Sequence, residues 1–116
     1  MAAADLDFVL IDNENFTSPE ITIQNPDGTP RNLTGAGLRF QVRTCQGAPG
    51  SPLLDLSIGH GITVLSAING KIQIAFGSFA VPAGDHFQDL IEDQSGYRTA
   101  IFQGRFEVTH GVTRWP

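Results

Sequence analysis

Residues 101–108, Ile101-Phe102-Gln103-Gly104-Arg105-Phe106-Glu107-Val108, decide the fold class of this chain. Apolar side chains or glycine occupy every second position from Phe102 to Val108, and polar side chains occupy the positions between them. Successive side chains of a β-strand point to opposite faces of the sheet. The pattern therefore predicts a long strand with one face in the core and the other in solvent.

A second strand precedes this one, and a short turn joins the two. Residues 84–92 contain Phe87, Leu90 and Ile91, and the following Asp93-Gln94-Ser95-Gly96 consists of turn-forming residues. This arrangement predicts an antiparallel hairpin. In a regular strand, Phe87 would point to the opposite face from His86, Gln88 and Leu90. We therefore expect a β-bulge in the outgoing strand near Phe87.

Short alternating segments separated by turn residues also fill the rest of the chain. They recur about every ten residues, and no apolar pattern of helical period extends over a helix length. The 13 glycines and 7 prolines among 116 residues are consistent with many turns. We predict a single all-β domain over residues 1–116, a sandwich or barrel of about seven or eight antiparallel strands.

The charge and the cysteine content restrict the partners and the compartment. The net charge of −5 with only seven Lys and Arg residues gives no basic surface for nucleic acid or for anionic membranes. The N-terminal residues lack the pattern of a signal peptide, and no apolar run is long enough to span a membrane. Cys45 is alone, which excludes an internal disulfide and is consistent with synthesis in a reducing cytoplasm.

No motif predicts catalysis, a metal site or a cofactor. His60, between two glycines, has no second histidine or cysteine at a metal-ligand spacing, so we interpret it as a surface residue of a turn. Asp85, Asp89 and Asp93 share one strand face, and such a row of like charges is usually a solvated face rather than a catalytic pair. We therefore expect a protein that is not an enzyme and holds no cofactor.

Three aromatic residues have no clear place in the predicted core. Phe16, Phe79 and Trp115 lie outside the alternating segments. Aromatic side chains are enriched at protein interfaces, so these residues are candidates for an interaction surface.

Several segments resemble a known family when taken in order along the chain. They are Asn32-Leu33-Thr34-Gly35-Ala36 before a Phe/Val strand, Asn69-Gly70-Lys71-Ile72, Pro82-Ala83-Gly84-Asp85 with Gln88-Asp89-Leu90, and the closing Gln103-Gly104-Arg105-Phe106-Glu107-Val108 with Val112-Thr113-Arg114. The chain resembles the small immunoglobulin-like structural proteins of tailed bacteriophages, and is similar to the N-terminal domain of the upper baseplate protein of lactococcal siphophages. The resemblance implies an immunoglobulin-like β-sandwich without catalytic residues.

The same resemblance implies a component of the virion that is made in the host cytoplasm. We expect an adaptor in the tail, baseplate or fibre-attachment region that binds other phage structural proteins in several copies per particle. Either the first strand, residues 6–11, or the tail, residues 112–116, would dock onto a neighbour by strand addition. The candidate interface residues are Leu6, Phe8, Phe16, Phe79, Val112, Arg114 and Trp115. The alternatives are a capsid decoration protein and a glycan-binding module that uses Phe79, His86 or Trp115.

Overall fold

The computed structural model describes residues 4–11, 15–44, 50–77 and 82–109. These residues form ten strands: β1 (Ala4–Asp5), β2 (Phe8–Ile11), β3 (Asn15–Thr17), β4 (Ile21–Thr22), β5 (Gly37–Arg43), β6 (Leu54–Ile58), β7 (Gly61–Ser66), β8 (Lys71–Gly77), β9 (Gly84–Gln94) and β10 (Tyr97–Thr109). Within the described residues there is no helix, and so none that is long and apolar enough to cross a membrane. The predicted all-β class is confirmed.

The strands form one mixed sheet in the order β1-β10-β9-β5-β6-β7-β8-β3. β2 also pairs with β10, and β4 also pairs with β8. β2 and β3 follow each other in the chain but lie at opposite ends of this order. The N-terminal segment therefore brings the two ends of the sheet together, and the result is a nearly closed barrel.

The predicted number of seven to eight strands was too low, and the predicted antiparallel direction holds for only part of the sheet. The described part of the chain has ten strands, and β1 with β10, β2 with β10, and β6 with β7 run parallel. The alternation of side chains is the same in parallel and antiparallel strands, so the sequence pattern carries no information on direction. The two strands that were not expected, β1 and β3, have only two and three residues and no readable period.

The predicted hairpin is confirmed as β9 and β10. Its turn consists of Ser95 and Gly96, which both have positive φ angles, 53° and 88°. Two such residues in a two-residue loop match the twist of the flanking strands. The Oδ1 of Asp93 accepts a hydrogen bond of 2.9 Å from the Gly96 N–H, which fixes the turn from within.

The predicted bulge in the outgoing strand was wrong in position. β9 pairs with β10 without interruption from Gly84 to Leu90, and the register shift lies on β10 between Ala100 and Phe102. The side chains of His86 and Gln88 are buried in the barrel, whereas Phe87 is half-buried on the outer face. The expectation of a bulge at Phe87 was based on the assumption that its aromatic side chain faces the core.

Phenylalanine rings close the barrel at the seam between β2 and β3, whose described residues do not pair with each other. The ring of Phe8 on β2 meets the ring of Phe16 on β3 edge to face, with centroids 5.7 Å apart. Phe16 in turn lies 5.2 Å from Phe76 on β8. Stacked and edge-to-face rings contribute about 0.5–1.5 kcal/mol per pair beyond the area that they bury. Ring packing thus joins β2 to β3 and β8 in place of a hydrogen-bond ladder.

A buried ion pair anchors the loop between β4 and β5 to the hairpin. The side chain of Glu92 on β9 is fully buried, and both of its carboxylate oxygens accept hydrogen bonds from the Nε of Arg31, at 3.0 and 2.9 Å. The Nη2 of Arg31 donates a third bond of 2.7 Å. This pairing raises the pKa of Arg31. Because Glu92 is satisfied by the protein itself, its role is structural.

Candidate protein-docking edge

β2 is an edge strand with one side that can accept a further strand. Its register pairs Phe8 with Phe106 and Ile11 with Thr109 on β10. At residues 8–10 the opposite side of β2 carries no strand pairing with any of the described residues. An open strand edge presents N–H and C=O groups to which another chain can add. The sequence prediction that the first strand is an edge therefore agrees with the observed sheet order.

Hydrogen bonds to β10 and β9 fix the segment between β1 and β2. The Leu6 N–H donates to the carbonyl oxygen of Gln103 at 3.0 Å, and the Asp7 Oδ1 accepts a bond of 2.9 Å from the Arg105 N–H. The side-chain amide of Gln88 donates to the carbonyl oxygen of Leu6. The edge strand is therefore held in place before any partner arrives, which lowers the entropic cost of binding.

Gly104 allows this close approach. It lies opposite Gln88 in the register of β9 and β10, between Gln88 and the Leu6 backbone. A Cβ atom at this position would overlap the Leu6 carbonyl oxygen and lie 2.5 Å from the Asp7 Oδ1. In the sequence, Gly104 was only one position of an apolar strand face. In the structure, the backbone of the N-terminal segment passes directly over it.

The structure places three of the predicted interface residues towards the core. Phe8 is 7% exposed and contacts four other phenylalanine rings. Leu6 and Phe16 are half-buried and pack against the same core. The expectation that Phe16 stands apart from the core was wrong, because it fills the seam between Phe8 and Phe76. These side chains position the edge and are not on its outer surface.

The remaining predicted interface residues, Phe79, Val112, Arg114 and Trp115, lie outside the described residues. Their role at an interface stays a prediction.

Two residues that were not among the candidates form the outer surface of the edge. Val9 is 69% exposed and Ile11 is 43% exposed. Both alternate with the buried Phe8 and Leu10, so the period of two already placed them on the outer face. We call the backbone of residues 8–10, together with the side chains of Val9 and Ile11, the β2 edge surface.

Two carboxylates lie beside the β2 edge surface. Val9 is paired with Glu107 on β10, and Glu107 is paired with Asp85 on β9, so the three side chains form one row on the outer face. Neither carboxylate forms an ion pair with a cationic side chain within the described ranges. Like charges directly opposite each other on paired strands repel. A partner with basic side chains would relieve this repulsion.

The aspartates of β9 do not combine with a histidine. Asp85 and Asp89 lie on the outer face of β9, whereas His86 is buried with its Nε2 2.7 Å from the carbonyl oxygen of Pro82. The burial of His86 also removes it from the surface that a glycan would contact. Among the described residues no group of three or more His, Cys, Asp or Glu side chains could hold a metal ion.

The interpretation of these aspartates as a solvated row needs correction at Asp89, whereas Asp93 is partly solvated and paired. Asp93 forms an ion pair of 3.2 Å with Arg98. Asp89 is half-buried, and its burial raises the pKa of its carboxyl group, an effect that the positive charge of Arg43 partly offsets. Of the three residues, Asp85 is exposed, whereas Asp89 and Asp93 are half-buried.

No protein-family model matches the chain, and no curated protein matches it either.

Proposed function

We propose that this protein is a non-enzymatic adaptor that binds other structural proteins of a tailed-phage particle through the β2 edge surface. The observation that carries the proposal is an edge strand that is fixed at Leu6 and Asp7 and that, at residues 8–10, has no second strand partner among the described residues. The role in the virion rests on the resemblance of the turn and strand motifs. The tail, baseplate or fibre-attachment region is the proposed location.

The strand order supports the immunoglobulin-like part of this proposal. In a variable-type immunoglobulin domain, one sheet contains strands G, F, C and C′, and the other contains B, E and D. The corresponding series here are β10-β9-β5-β6 and β4-β8-β7. Only two residue pairs, Ser57 with Gly61 and Ile58 with Ile62, join β6 to β7 at the corner. A sandwich whose layers touch at this corner accounts for the nearly closed barrel.

Strand addition supplies a physical mechanism for docking. A strand of the partner that pairs with residues 8–10 would gain main-chain hydrogen bonds, and its apolar side chains would cover Val9 and Ile11. Glu107 and Asp85 favour a partner strand that carries lysine or arginine. One such contact is weak, but many copies at symmetric positions in a particle increase the overall strength of attachment.

The proposal is tested by the amount of this protein in purified particles. Phage particles are prepared from cells that carry the gene, and quantitative mass spectrometry measures copies per particle. We expect a fixed number of copies for the wild type and a loss of at least about tenfold for Val9→Lys, because a charge on an edge strand opposes strand addition. The matched control is Ile68→Lys, since Ile68 is 70% exposed and lies in the connection between β7 and β8, neither of which pairs with β2.

The same measurement distinguishes the two virion locations. A small number of copies with ring symmetry indicates the tail, and copies on the order of hundreds indicate decoration of the capsid. Absence of the protein from particles, or equal incorporation of Val9→Lys and the wild type, would contradict the proposal.

A further inference from the structure

A second surface feature lies on the outer face of the sheet, away from β2. β5, β6, β9 and the start of β10 border a groove with a volume of about 720 Å³. Its lining includes Gly37, Arg39, Gln41, Asp89, Ile91 and Arg98. The groove is independent of the β2 edge surface, because it is formed by the strands on the far side of β9.

A glycine leaves free space in the part of the groove next to Asp93. Gly37 on β5 is paired with Asp93 on β9, and a Cβ atom at Gly37 would contact only atoms of Asp93, at 3.9 Å. Ion pairs flank the gap on both sides. Arg39 binds Asp55 through two hydrogen bonds of 2.9 Å, and Arg98 binds Asp93.

Asp89 differs from the other carboxylates of the groove. It is half-buried, yet it accepts no hydrogen bond and forms no ion pair within the described part of the chain. Its neighbours across the strands are Gln41 and Gln103. Arg43, whose charge acts on it, donates instead to the Gly50 carbonyl oxygen at 2.6 Å and to the Gln41 Oε1 at 3.2 Å.

We propose that this groove binds a guanidinium group, the side chain of an arginine from a partner polypeptide, with Asp89 as the acceptor. A carboxylate that is already partly desolvated and has no donor of its own is complementary to a cation. The guanidinium group presents a planar fork of donors and is more weakly hydrated than an ammonium group, so it suits a half-buried carboxylate. The aliphatic stem of the arginine would pack on Ile91, which is half-buried beside Asp89.

Two other occupants fit the groove less well. A sugar ring commonly packs on an aromatic side chain, and the described lining of the groove contains none. A second copy of this chain could not use Arg39 or Arg98 as the cation, because both are bonded to carboxylates of their own chain, and self-association through this face is therefore one outcome of the test below.

An NMR titration with N-acetyl-arginine amide as the probe tests the proposal. We expect saturable shifts of the backbone amides of Gln41, Asp89 and Ile91. N-acetyl-citrulline amide, which has the same shape without the charge, is the control and should produce no saturable shifts. Asp89→Asn should weaken binding of the arginine probe by about tenfold or more, since a charge-assisted hydrogen bond is lost.

Two further variants separate the carboxylate from the shape of the groove. Asp85→Asn removes an exposed carboxylate of β9 that lies outside the groove, and it should leave the affinity for the arginine probe within about twofold. Gly37→Val fills the gap without a change of charge and should also weaken binding, while the unperturbed remainder of the spectrum reports that the fold is retained.

Equal shifts with the citrulline and arginine probes would overturn the proposal. So would an affinity that Asp89→Asn leaves unchanged, saturable binding of sugars at the same amides, or self-association through this face in sedimentation experiments. None of these results bears on the β2 edge surface, which has its own test in purified particles.

Discussion

Replacement of Gly104 by alanine should release the N-terminal strand from the barrel. The added Cβ atom would overlap the Leu6 carbonyl oxygen and approach the Asp7 Oδ1, so the backbone of this segment must move away from β10. Three hydrogen bonds then lengthen or break: Leu6 N–H to Gln103, Arg105 N–H to Asp7, and the Gln88 amide to Leu6. At about 1 kcal/mol each, their loss lowers the free energy of unfolding by about 3 kcal/mol.

Gly37→Ala provides the matched control for Gly104→Ala. Both glycines lie in strands and neither has a positive φ angle, but a Cβ atom at Gly37 meets only Asp93, at 3.9 Å. The control should change stability by less than about 0.5 kcal/mol, or increase it slightly, because alanine restricts the unfolded chain.

Urea unfolding followed by circular dichroism measures both free energies of unfolding, and hydrogen exchange locates the effect. In Gly104→Ala the amides of Leu6 and Arg105 should exchange faster, whereas those of the β9–β10 turn should keep their protection. Equal stability of the two variants, or unchanged protection at Leu6, would refute the role that we assign to Gly104.

Two further predictions concern charged groups. Glu92→Gln should lower the free energy of unfolding by about 3 kcal/mol, because Arg31 loses its ionic partner in a buried site, and a loss below about 1 kcal/mol in urea unfolding would contradict a structural role for the pair. Asp89→Asn should raise the unfolding temperature at neutral pH, since burial holds the pKa of Asp89 above 3.8 in the folded protein and its ionised form therefore opposes folding. This gain should disappear as the pH falls below 3.8, where Asp89 is protonated in both states, and a gain that persists in acid would exclude the proposed cause.

Local sequence patterns predicted the features of the fold that depend on neighbouring residues. The inward face of β10, with Phe102, Phe106 and Val108, followed from alternation, and the hairpin followed from its turn residues. The parallel pairing of β2 with β10 could not be predicted in this way. It joins residues about a hundred positions apart, and nothing in either segment specifies the direction of the other.

The candidate site shows the same limit. The sequence placed an edge strand at residues 6–11, but apolar character alone nominated Phe8 and Phe16, which pack inside. Phe16 was misjudged because its strand has only three residues and no period. The pairing of Glu92 with Arg31 spans 61 positions. Without knowledge of Arg31 as its partner, the sequence around Glu92 does not show whether this glutamate is buried or solvated.

The most direct test of the proposed function is the density of the assembled particle from electron cryomicroscopy. We predict that this domain occupies a defined symmetric position, with a strand of a neighbouring protein about 4.8 Å from residues 8–10 of β2. Density in which the domain is present but β2 faces solvent in every copy would contradict docking through the β2 edge surface. Particles that contain no density for the domain would contradict the adaptor role itself.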